Sequence, residues 1–169
     1  MEGFKKIDVK KLDDNIFKLF DNDWTLITAG NSELFNTMTA SWGTMGILWN
    51  RPIAICFIRP QRYTHQFAVN SSHFTLSFFD EKYRNILKFC GAKSGKNCDK
   101  ISETGLIPVS SLRGNVSFEQ ARLVFECRKL YCDSFKTDNF FMDDIIPKNY
   151  PKKDFHTFFI GEIEECFIK

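Results

Sequence analysis

The apolar run between Pro52 and Pro60 constrains the fold more than any other stretch of the sequence. Its central part, Ile53 to Ile58, has the sequence IAICFI without a polar interruption. A short, continuous apolar run with a proline on each side is typical of a strand that is buried on both faces. Because Pro60 has no amide hydrogen and a fixed φ angle, the strand cannot easily continue past it. The sequence therefore predicts a buried strand that ends at a polar turn.

The turn after this strand, RPQRYT at residues 59–64, is rich in hydrogen-bond donors. The guanidinium groups of Arg59 and Arg62 and the hydroxyl groups of Tyr63 and Thr64 can be presented to an anion. Thr64 is the predicted N-cap of a short helix, whose positive end would face the same anion. The alternative is a strand that simply ends in surface charges. Both interpretations are compatible with the residue types alone.

A second polar stretch, TMTASWG at residues 37–43, precedes the buried strand. Its hydroxyl and backbone N–H groups can bind a planar polar ligand, and its small side chains let a flat ring approach the backbone. Asn36, just before it, can both donate and accept hydrogen bonds. The alternative is an ordinary edge strand with Trp42 in the core. We interpret the two stretches as the ring end and the phosphate end of one cofactor site.

Composition sets the outer limits of this interpretation. A chain of 169 residues is predicted to form one domain over residues 1–169, with residues 1–20 as an exposed N-terminal arm. The 43% hydrophobic and 15% aromatic content argues against disorder. A net charge of +2 gives no electrostatic footprint for nucleic acid. Without an apolar run that could span a bilayer or serve as a secretion signal, we expect no membrane association and a cytoplasmic location.

Short apolar segments separated by turn residues predict a mainly β domain with a few flanking helices. Besides the buried strand, the predicted strands cover residues 24–29, 35–42, 73–79, 116–128 and 156–163. The six cysteines include no C-x-x-C pair, so reduced and mostly buried thiols are expected and zinc is disfavoured. We expect no metal site. A redox pair of Cys127 and Cys132, which are close in sequence, is the alternative.

The order of these motifs is similar to that of a known family. TMTASWG, a short spacer, an apolar strand and RPQRYT resemble the flavoredoxin-like branch of the flavin reductase family, from about Trp24 to Glu164. The resemblance implies an FMN-binding split barrel: six antiparallel strands in a Greek-key arrangement, with helices packed outside. It also implies a homodimer with FMN at or near the dimer interface.

The same resemblance assigns the cofactor contacts. Those on the two motifs are Asn36, Thr39, Ala40, Ser41, Trp42, Arg59, Arg62, Tyr63 and Thr64. In the family a G-x-x-S-G segment followed by Asp-Lys lies near the flavin, and residues 91–100 fit this pattern, which adds Ser94, Gly95 and Lys100. Taken alone, this lysine-rich stretch would be interpreted as a solvated loop, and it lacks Walker A spacing.

No catalytic residue is assigned from the sequence. His156, in the family-like segment DFH before IGEI, is the one candidate. A histidine beside phenylalanines is more often structural, and the alternative is proton delivery near the flavin or nicotinamide. The absence of a G-x-S-x-G elbow or a nearby Cys/His pair argues against nucleophilic catalysis.

The expected function is therefore an FMN-binding, NAD(P)H-dependent flavin reductase. Without a G-x-G-x-x-G sequence, NADH or NADPH would bind transiently beside the flavin rather than in a dedicated domain. One alternative is a flavoredoxin-like electron-transfer protein with tightly bound FMN and a redox protein partner. The other is a non-enzymatic split barrel that binds a small anion or haem, although haem needs an axial ligand and no phosphate clamp.

Overall fold

Antiparallel strands make up most of the regular structure. A computed structural model describes residues 2–111 and 113–169. Over those residues the strands are β1 (Lys5–Ile7), β2 (Thr25–Gly30), β3 (Phe35–Ala40), β4 (Gly43–Leu48), β5 (Arg51–Ile58), β6 (His73–Phe78), β7 (Pro108–Ser110), β8 (Val116–Phe118), β9 (Leu123–Ser134) and β10 (Thr157–Ile168). The α-helices are α1 (Tyr63–Asn70), α2 (Arg84–Ala92), α3 (Lys100–Thr104) and α4 (Ile145–Asn149).

The main sheet has the strand order β3-β2-β6-β9-β10-β5-β4, with β1 beside β10, while β7 and β8 form a separate ribbon. All of these pairings are antiparallel. The strands at the two ends of the order, β3 and β4, are joined by Ser41 and Trp42 alone. So short a link holds the two edges of the sheet close together at one corner. We call this place the β3–β4 corner.

The predicted mainly β fold with outer helices is confirmed, but its main sheet has eight strands rather than six. Strand β5 confirms a strand over the apolar run and pairs with β4 and β10, but it is fully buried on one face only, since Ile55 and Phe57 are half-buried. It begins at Arg51, before Pro52, and thus accommodates that proline near its start. Its buried residues join β2, β6, β9 and β10 in the larger of two core clusters.

Two other predictions about the elements are wrong. Residues 1–20 are not simply an exposed arm, because β1 pairs with the end of β10 and both Leu19 and Phe20 are buried. The predicted strand over residues 116–128 is interrupted. A turn in which the amide of Ala121 donates to the carbonyl of Phe118 separates β8 from β9. The sequence does not reveal the turn, because Ala121 within it is apolar and buried like the strand residues on either side.

None of the helices in the described part of the chain is long and apolar enough to cross a membrane. All six cysteines are free thiols. Cys127 and Cys132 lie on the same strand, β9, where the first is buried and the second is exposed. Burial raises the pKa of the Cys127 thiol well above its ordinary value. The thiol therefore stays protonated at neutral pH, which disfavours it as a nucleophile in disulfide exchange.

Candidate cofactor-binding site

The turn between β5 and α1 builds one wall of the candidate site. The amide of Arg62 donates to the carbonyl of Arg59 at 3.0 Å, and α1 begins at Tyr63. Arg62 is the N-cap residue, with an extended backbone and no side-chain capping bond. The prediction of Thr64 as N-cap is therefore wrong by two positions. The hydroxyl oxygen of Thr64 accepts a hydrogen bond from the side chain of Asn36 on β3, and not from the first amide groups of α1.

Four segments of the chain meet at a cleft of about 150 Å³ beside this turn. They are the start of β3, residues 61–64, residues 91–95 at and after the end of α2, and the first residue of α3. The cleft is lined by Asn36, Gln61, Arg62, Tyr63, Thr64, Gly91, Ala92, Lys93, Ser94, Gly95 and Lys100. Most of the residues predicted to contact a cofactor are thus brought together here. We call this cleft the anion clamp.

Arg62 contributes a buried nitrogen atom without a hydrogen-bond partner. Among the described residues, no group accepts a hydrogen bond from its Nη2 atom. Burial lowers the pKa of Arg62, because the guanidinium group loses contact with water. A buried donor without an acceptor costs about 1–3 kcal/mol, and a charged one costs more. This arrangement leaves a donor that an anion bound in the cleft could satisfy.

Thr64 and the start of α1 add donors at the same place. The Nδ2 group of Asn36 donates to the Oγ1 atom of Thr64 at 2.7 Å, and both side chains are buried. Because the hydroxyl oxygen accepts this bond, its own hydrogen remains available to a ligand. The first amide groups of a helix lack intrahelical acceptors and lie at its positive end. Arg62, Thr64 and the start of α1 therefore form a donor set that suits a phosphate group.

Lys100 carries a second positive charge in the clamp. Its side chain is buried, and its Nζ atom donates to the carbonyl oxygens of Thr37 at 2.7 Å and Cys90 at 2.9 Å. Burial lowers the pKa of Lys100, and the nearby charge of Arg62 lowers it further. An ammonium group has three donors, so one remains after these two bonds. The residue thus fastens α3 to β3 and α2 while keeping a donor at the cleft.

Gly95 lets the loop after α2 pass closely over Asn36. A Cβ atom at position 95 would lie 2.1 Å from the Oδ1 atom of Asn36, so no other residue fits without displacing that amide. Ser94, beside it, also lines the cleft, and its Oγ accepts from the amide of Lys96 at 3.3 Å. Glycine at position 95 therefore allows the loop after α2 to form one wall of the clamp.

Arg59 is placed outside the clamp. Its guanidinium group pairs with the carboxylate of Asp154 and donates to the carbonyl oxygen of Asn149 at 2.7 Å. It also lies over the ring of Tyr150, 5.2 Å from the ring centroid. Both ends of the guanidinium group are thus used within the chain, in contrast to Arg62.

The residues predicted for the ring end lie along β3 and at the β3–β4 corner. The hydroxyl of Thr39 donates to the carbonyl of Leu87 at 2.5 Å, so it is not free for a ligand. Ala40 is packed in the core. Ser41 and Trp42 line a separate cavity of about 530 Å³, together with aromatic residues that include Phe57 and Phe135. None of the clamp residues lines that cavity.

His156 lies next to this corner. It is buried, its Nδ1 atom is 2.9 Å from the hydroxyl oxygen of Tyr150, and its ring centroid is 5.3 Å from that of Trp42. Burial lowers the pKa of His156 to about 4, and the positive charge of Arg59 contributes. The imidazole is therefore neutral at physiological pH. Sequence analysis missed its partner Tyr150 because no motif marks that position.

Gln61 is a clamp residue that the motif analysis passed over, although it stands between predicted residues in RPQRYT. Its place inside the RPQRYT motif could have identified Gln61 as a residue of the cleft. Its side-chain amide donates to Asp154 at 2.7 Å, which leaves its backbone to contact the cleft.

The chain matches a known protein family over most of its length. The family model described as Flavin reductase like domain matches residues 17–169. The chain belongs to this family. The resemblance carried by TMTASWG and RPQRYT is thereby confirmed.

Solved structures share the fold. An FMN-binding protein from Thermus thermophilus with bound p-hydroxybenzaldehyde matches with a TM-score of 0.70 and 18% identity, over 98% of this chain and 82% of that one. Flavoredoxin from Methanosarcina acetivorans matches with a TM-score of 0.68 and 20% identity, and the match covers 96% of this chain and 76% of that one. An NADH:FAD oxidoreductase from Streptomyces globisporus matches with a TM-score of 0.68 and 17% identity, and the match covers 90% of this chain and 79% of that one. These similarities establish the split-barrel fold of the chain.

Proposed function

We propose that the protein binds FMN and is an NAD(P)H-dependent flavin reductase, in which a hydride passes from NADH or NADPH to the flavin. The observation that carries this proposal is the donor set of the anion clamp. It combines the buried, unpartnered Nη2 of Arg62, the hydroxyl of Thr64 and the start of α1. A terminal phosphate, such as that of FMN, accepts all three kinds of hydrogen bond. Membership of the family supports the same cofactor.

Strand β3 provides a path from the phosphate to the ring. Asn36 lies in the clamp, and Ala40 ends the strand four residues later, roughly 14 Å away in an extended chain. Among the described residues β3 pairs only with β2, so the backbone groups along its other edge can face a ligand, apart from the carbonyl of Thr37, which accepts from Lys100. The ring would then lie beside Thr39, Ala40, Ser41 and Trp42. Thr39 would act through its backbone, since its hydroxyl is bonded to Leu87.

The flavin itself supplies the group that accepts the hydride. The chain's part is to hold the phosphate, orient the ring and provide Trp42 as an apolar wall. Hydride transfer needs no protein acid or base, and neutral His156 fits a structural role beside Trp42. Its low pKa opposes a role as a proton donor at neutral pH.

A flavoredoxin-like electron carrier is the second candidate. The exposed apolar side chains near the β3–β4 corner favour it, because a redox protein partner could dock there. Trp42, Phe141 and Met142 are 48%, 96% and 61% exposed and line one cavity of about 790 Å³. Structural similarity to flavoredoxin is in keeping with this alternative.

We also propose a homodimer. Phe17, Ile47 and Trp49 are 86%, 64% and 61% exposed, which is costly for an isolated chain in water. Light scattering coupled to size exclusion should give the mass of two chains, and a single-chain mass at micromolar concentration would contradict the proposal.

An absorbance experiment tests the function. Flavin-free protein is titrated with FMN, and the complex is then mixed with NADH and NADPH without oxygen. A bound flavin band that bleaches with either nicotinamide supports the reductase. A band that persists with both favours the electron carrier. Failure to bind FMN at all would contradict both candidates and leave a non-enzymatic split barrel.

A further inference from the structure

The chain forms a π-helix at Lys18–Asp23, shortly before β2. This conformation is rare, and short π-helical turns occur frequently at functional sites. The helix ends at Trp24, whose φ of 64° and ψ of 162° lie outside the regions that a bulky residue readily adopts. Backbone outliers of this kind persist only where the surrounding structure holds them in place. The conformation of this segment is therefore imposed by its contacts with the rest of the fold.

Two arginines hold the π-helix in place. The Nη2 atom of Arg84 donates to the carbonyl oxygen of Asn22, and its guanidinium carbon lies 4.4 Å from the centroid of the Trp24 ring. The Nη2 atom of Arg122 donates to the carboxylate of Asp23 at 3.0 Å. Since Arg84 begins α2 and Arg122 directly precedes β9, the π-helix is fixed to two separate elements of the fold.

Phe20 is the residue of the π-helix that reaches the β3–β4 corner. Its side chain is buried, and its ring packs edge-to-face against Phe78, with the ring centroids 5.6 Å apart. The same ring lies beside Gly43, where a Cβ atom would be 2.2 Å from its Cε1 atom and 2.6 Å from its Cζ atom. Gly43 has no positive φ angle, so the ring of Phe20 is what requires a glycine at this position. Because Gly43 directly follows Ser41 and Trp42, this contact restricts the path of the backbone through the corner.

The same segment lines the cavity of about 530 Å³ at the corner. Four of its residues, between Ile16 and Asp21, share this cavity with Ser41, Trp42 and Gly43. We call it the corner cavity. The end of the predicted N-terminal arm therefore forms a wall of the region proposed for the flavin ring.

We propose that Phe20 is a positioning residue for the ring end of the cofactor site. By packing on Gly43, Phe20 holds Ser41 and Trp42 in the arrangement that contacts the flavin ring. It lines no part of the anion clamp, so phosphate binding does not depend on it. The inference rests on the proposed function, because that function places the flavin ring beside Ser41 and Trp42.

Hydrogen–deuterium exchange of the flavin-free protein tests the contact without any cofactor. Phe20→Leu removes the Cε1 and Cζ atoms that face Gly43 and keeps an apolar side chain. Phe118→Leu is the matched control, since Phe118 is also buried but belongs to the second core cluster and lines neither the clamp nor the corner cavity. The peptide of residues 41–45 should exchange about fivefold faster in Phe20→Leu and at the wild-type rate in Phe118→Leu. An unchanged rate in Phe20→Leu, or equal acceleration in both variants, would overturn the proposal.

Gly43→Ala tests the same contact from the other side. In the wild-type background the added methyl group meets the ring of Phe20, so the melting temperature should fall. In the Phe20→Leu background the two nearest ring atoms are absent, so the same substitution should lower the melting temperature less. Gly46→Ala is the control, because a Cβ atom there has no neighbour within 4 Å, and its effect should be the same in both backgrounds. Equal losses for Gly43→Ala in both backgrounds would show that Phe20 does not confine this position.

Flavin binding then tests the functional part. Phe20→Leu should weaken FMN and riboflavin equally, and by no more than the roughly 2- to 12-fold expected for loss of the Trp42 contact itself. Because Phe20 acts through Trp42, the double variant Phe20→Leu/Trp42→Leu should bind no more weakly than Trp42→Leu alone. Additive losses, or a loss confined to FMN, would overturn the positioning role. If wild-type protein binds no flavin, the proposed function fails, and the exchange experiment still decides whether Phe20 holds the corner.

Discussion

The anion clamp and the β3–β4 corner differ in how they can hold a ligand. The clamp is small and polar, and its donors are fixed by bonds such as that from Asn36 to Thr64. The corner is aromatic and more open: Trp42 is half exposed, its ring lies near that of His156, and it lines a cavity together with Phe57. Directional bonds to a charged group concentrate affinity in a few residues, whereas contact with ring faces spreads it over many. Substitutions in the clamp should therefore have larger and more selective effects.

The largest effect is expected for Arg62→Ala. Loss of a charge-assisted hydrogen bond should weaken FMN by roughly 10- to 100-fold, with riboflavin changed by less than about twofold, because riboflavin has no phosphate. Fluorescence titration of the two flavins measures this difference. Flavin-free Arg62→Ala should unfold at the same or a higher temperature than wild type, since a buried donor atom without an acceptor is removed.

Arg128→Ala is the control for that experiment, because Arg128 is an exposed residue of β9 paired with Glu162 and outside the cleft. It should leave both flavin affinities unchanged. An equal loss of FMN and riboflavin binding in Arg62→Ala would show that Arg62 does not contact the phosphate.

Gly95→Ala should come next. The added methyl group would meet the Oδ1 atom of Asn36 and move the amide that holds Thr64. FMN affinity should fall about tenfold, the loss expected for one well-aligned bond, as measured by the same titration. Gly46→Ala is the matched control, since a Cβ atom there has no neighbour within 4 Å. Identical behaviour of the two variants would mean that the loop moves aside freely and does not shape the clamp.

Trp42→Leu tests the other region and should have a smaller, unselective effect. An aromatic contact contributes about 0.5–1.5 kcal/mol beyond area burial, so FMN and riboflavin should both weaken by roughly 2- to 12-fold. The visible spectrum of the bound flavin should also change. Phe141→Leu, at a side chain that is 96% exposed, serves as the control. If Trp42→Leu has an unchanged spectrum and unchanged affinities, Trp42 is an ordinary packing residue.

The smallest effect concerns His156 and the pH dependence of stability. Its pKa is about 4 in the folded chain against an ordinary 6.5, so the unfolded state binds more protons between these values. Folding stability should therefore fall as pH is lowered from about 6.5 to about 4. His156→Gln should flatten this part of a melting-temperature profile. His65, whose pKa burial also lowers, contributes to the remaining slope, as do carboxylates such as Glu162, whose pKa the hydrogen bond from Arg128 lowers.

Arg59→Ala tests the cause of the low pKa of His156. Removal of the guanidinium charge, with Asp154 left nearby, should raise the pKa of His156 in an NMR titration. FMN affinity should change little, because Arg59 is engaged outside the clamp. A loss of FMN binding comparable to that of Arg62→Ala would restore the original sequence prediction for Arg59.

The sequence by itself determined the features that depend on neighbouring residues. An apolar run between two prolines favours a short strand, and β5 confirms the strand from Arg51 to Ile58. Because RPQRYT is contiguous, Arg62 had to lie in the turn that follows, with Tyr63 and Thr64 directly after it at the start of α1. The mainly β class was also predictable from patterning. Two further strands of the sheet were not: β1 is too short and too charged to be distinguished from an exposed arm, and β4, with the sequence GTMGIL, has two glycines and no continuous apolar run.

Tertiary structure alone decided which of these side chains share a site. Asn36 meets Thr64 across 28 positions, and Lys100 reaches the carbonyl of Thr37 across 63. The clearest case is the two arginines of RPQRYT, which have the same chemistry three positions apart. Asp154, 95 positions away, pairs with Arg59, while the buried Nη2 atom of Arg62 has no acceptor among the described residues. Local sequence cannot distinguish them, because the pairing depends on how the strands close the barrel.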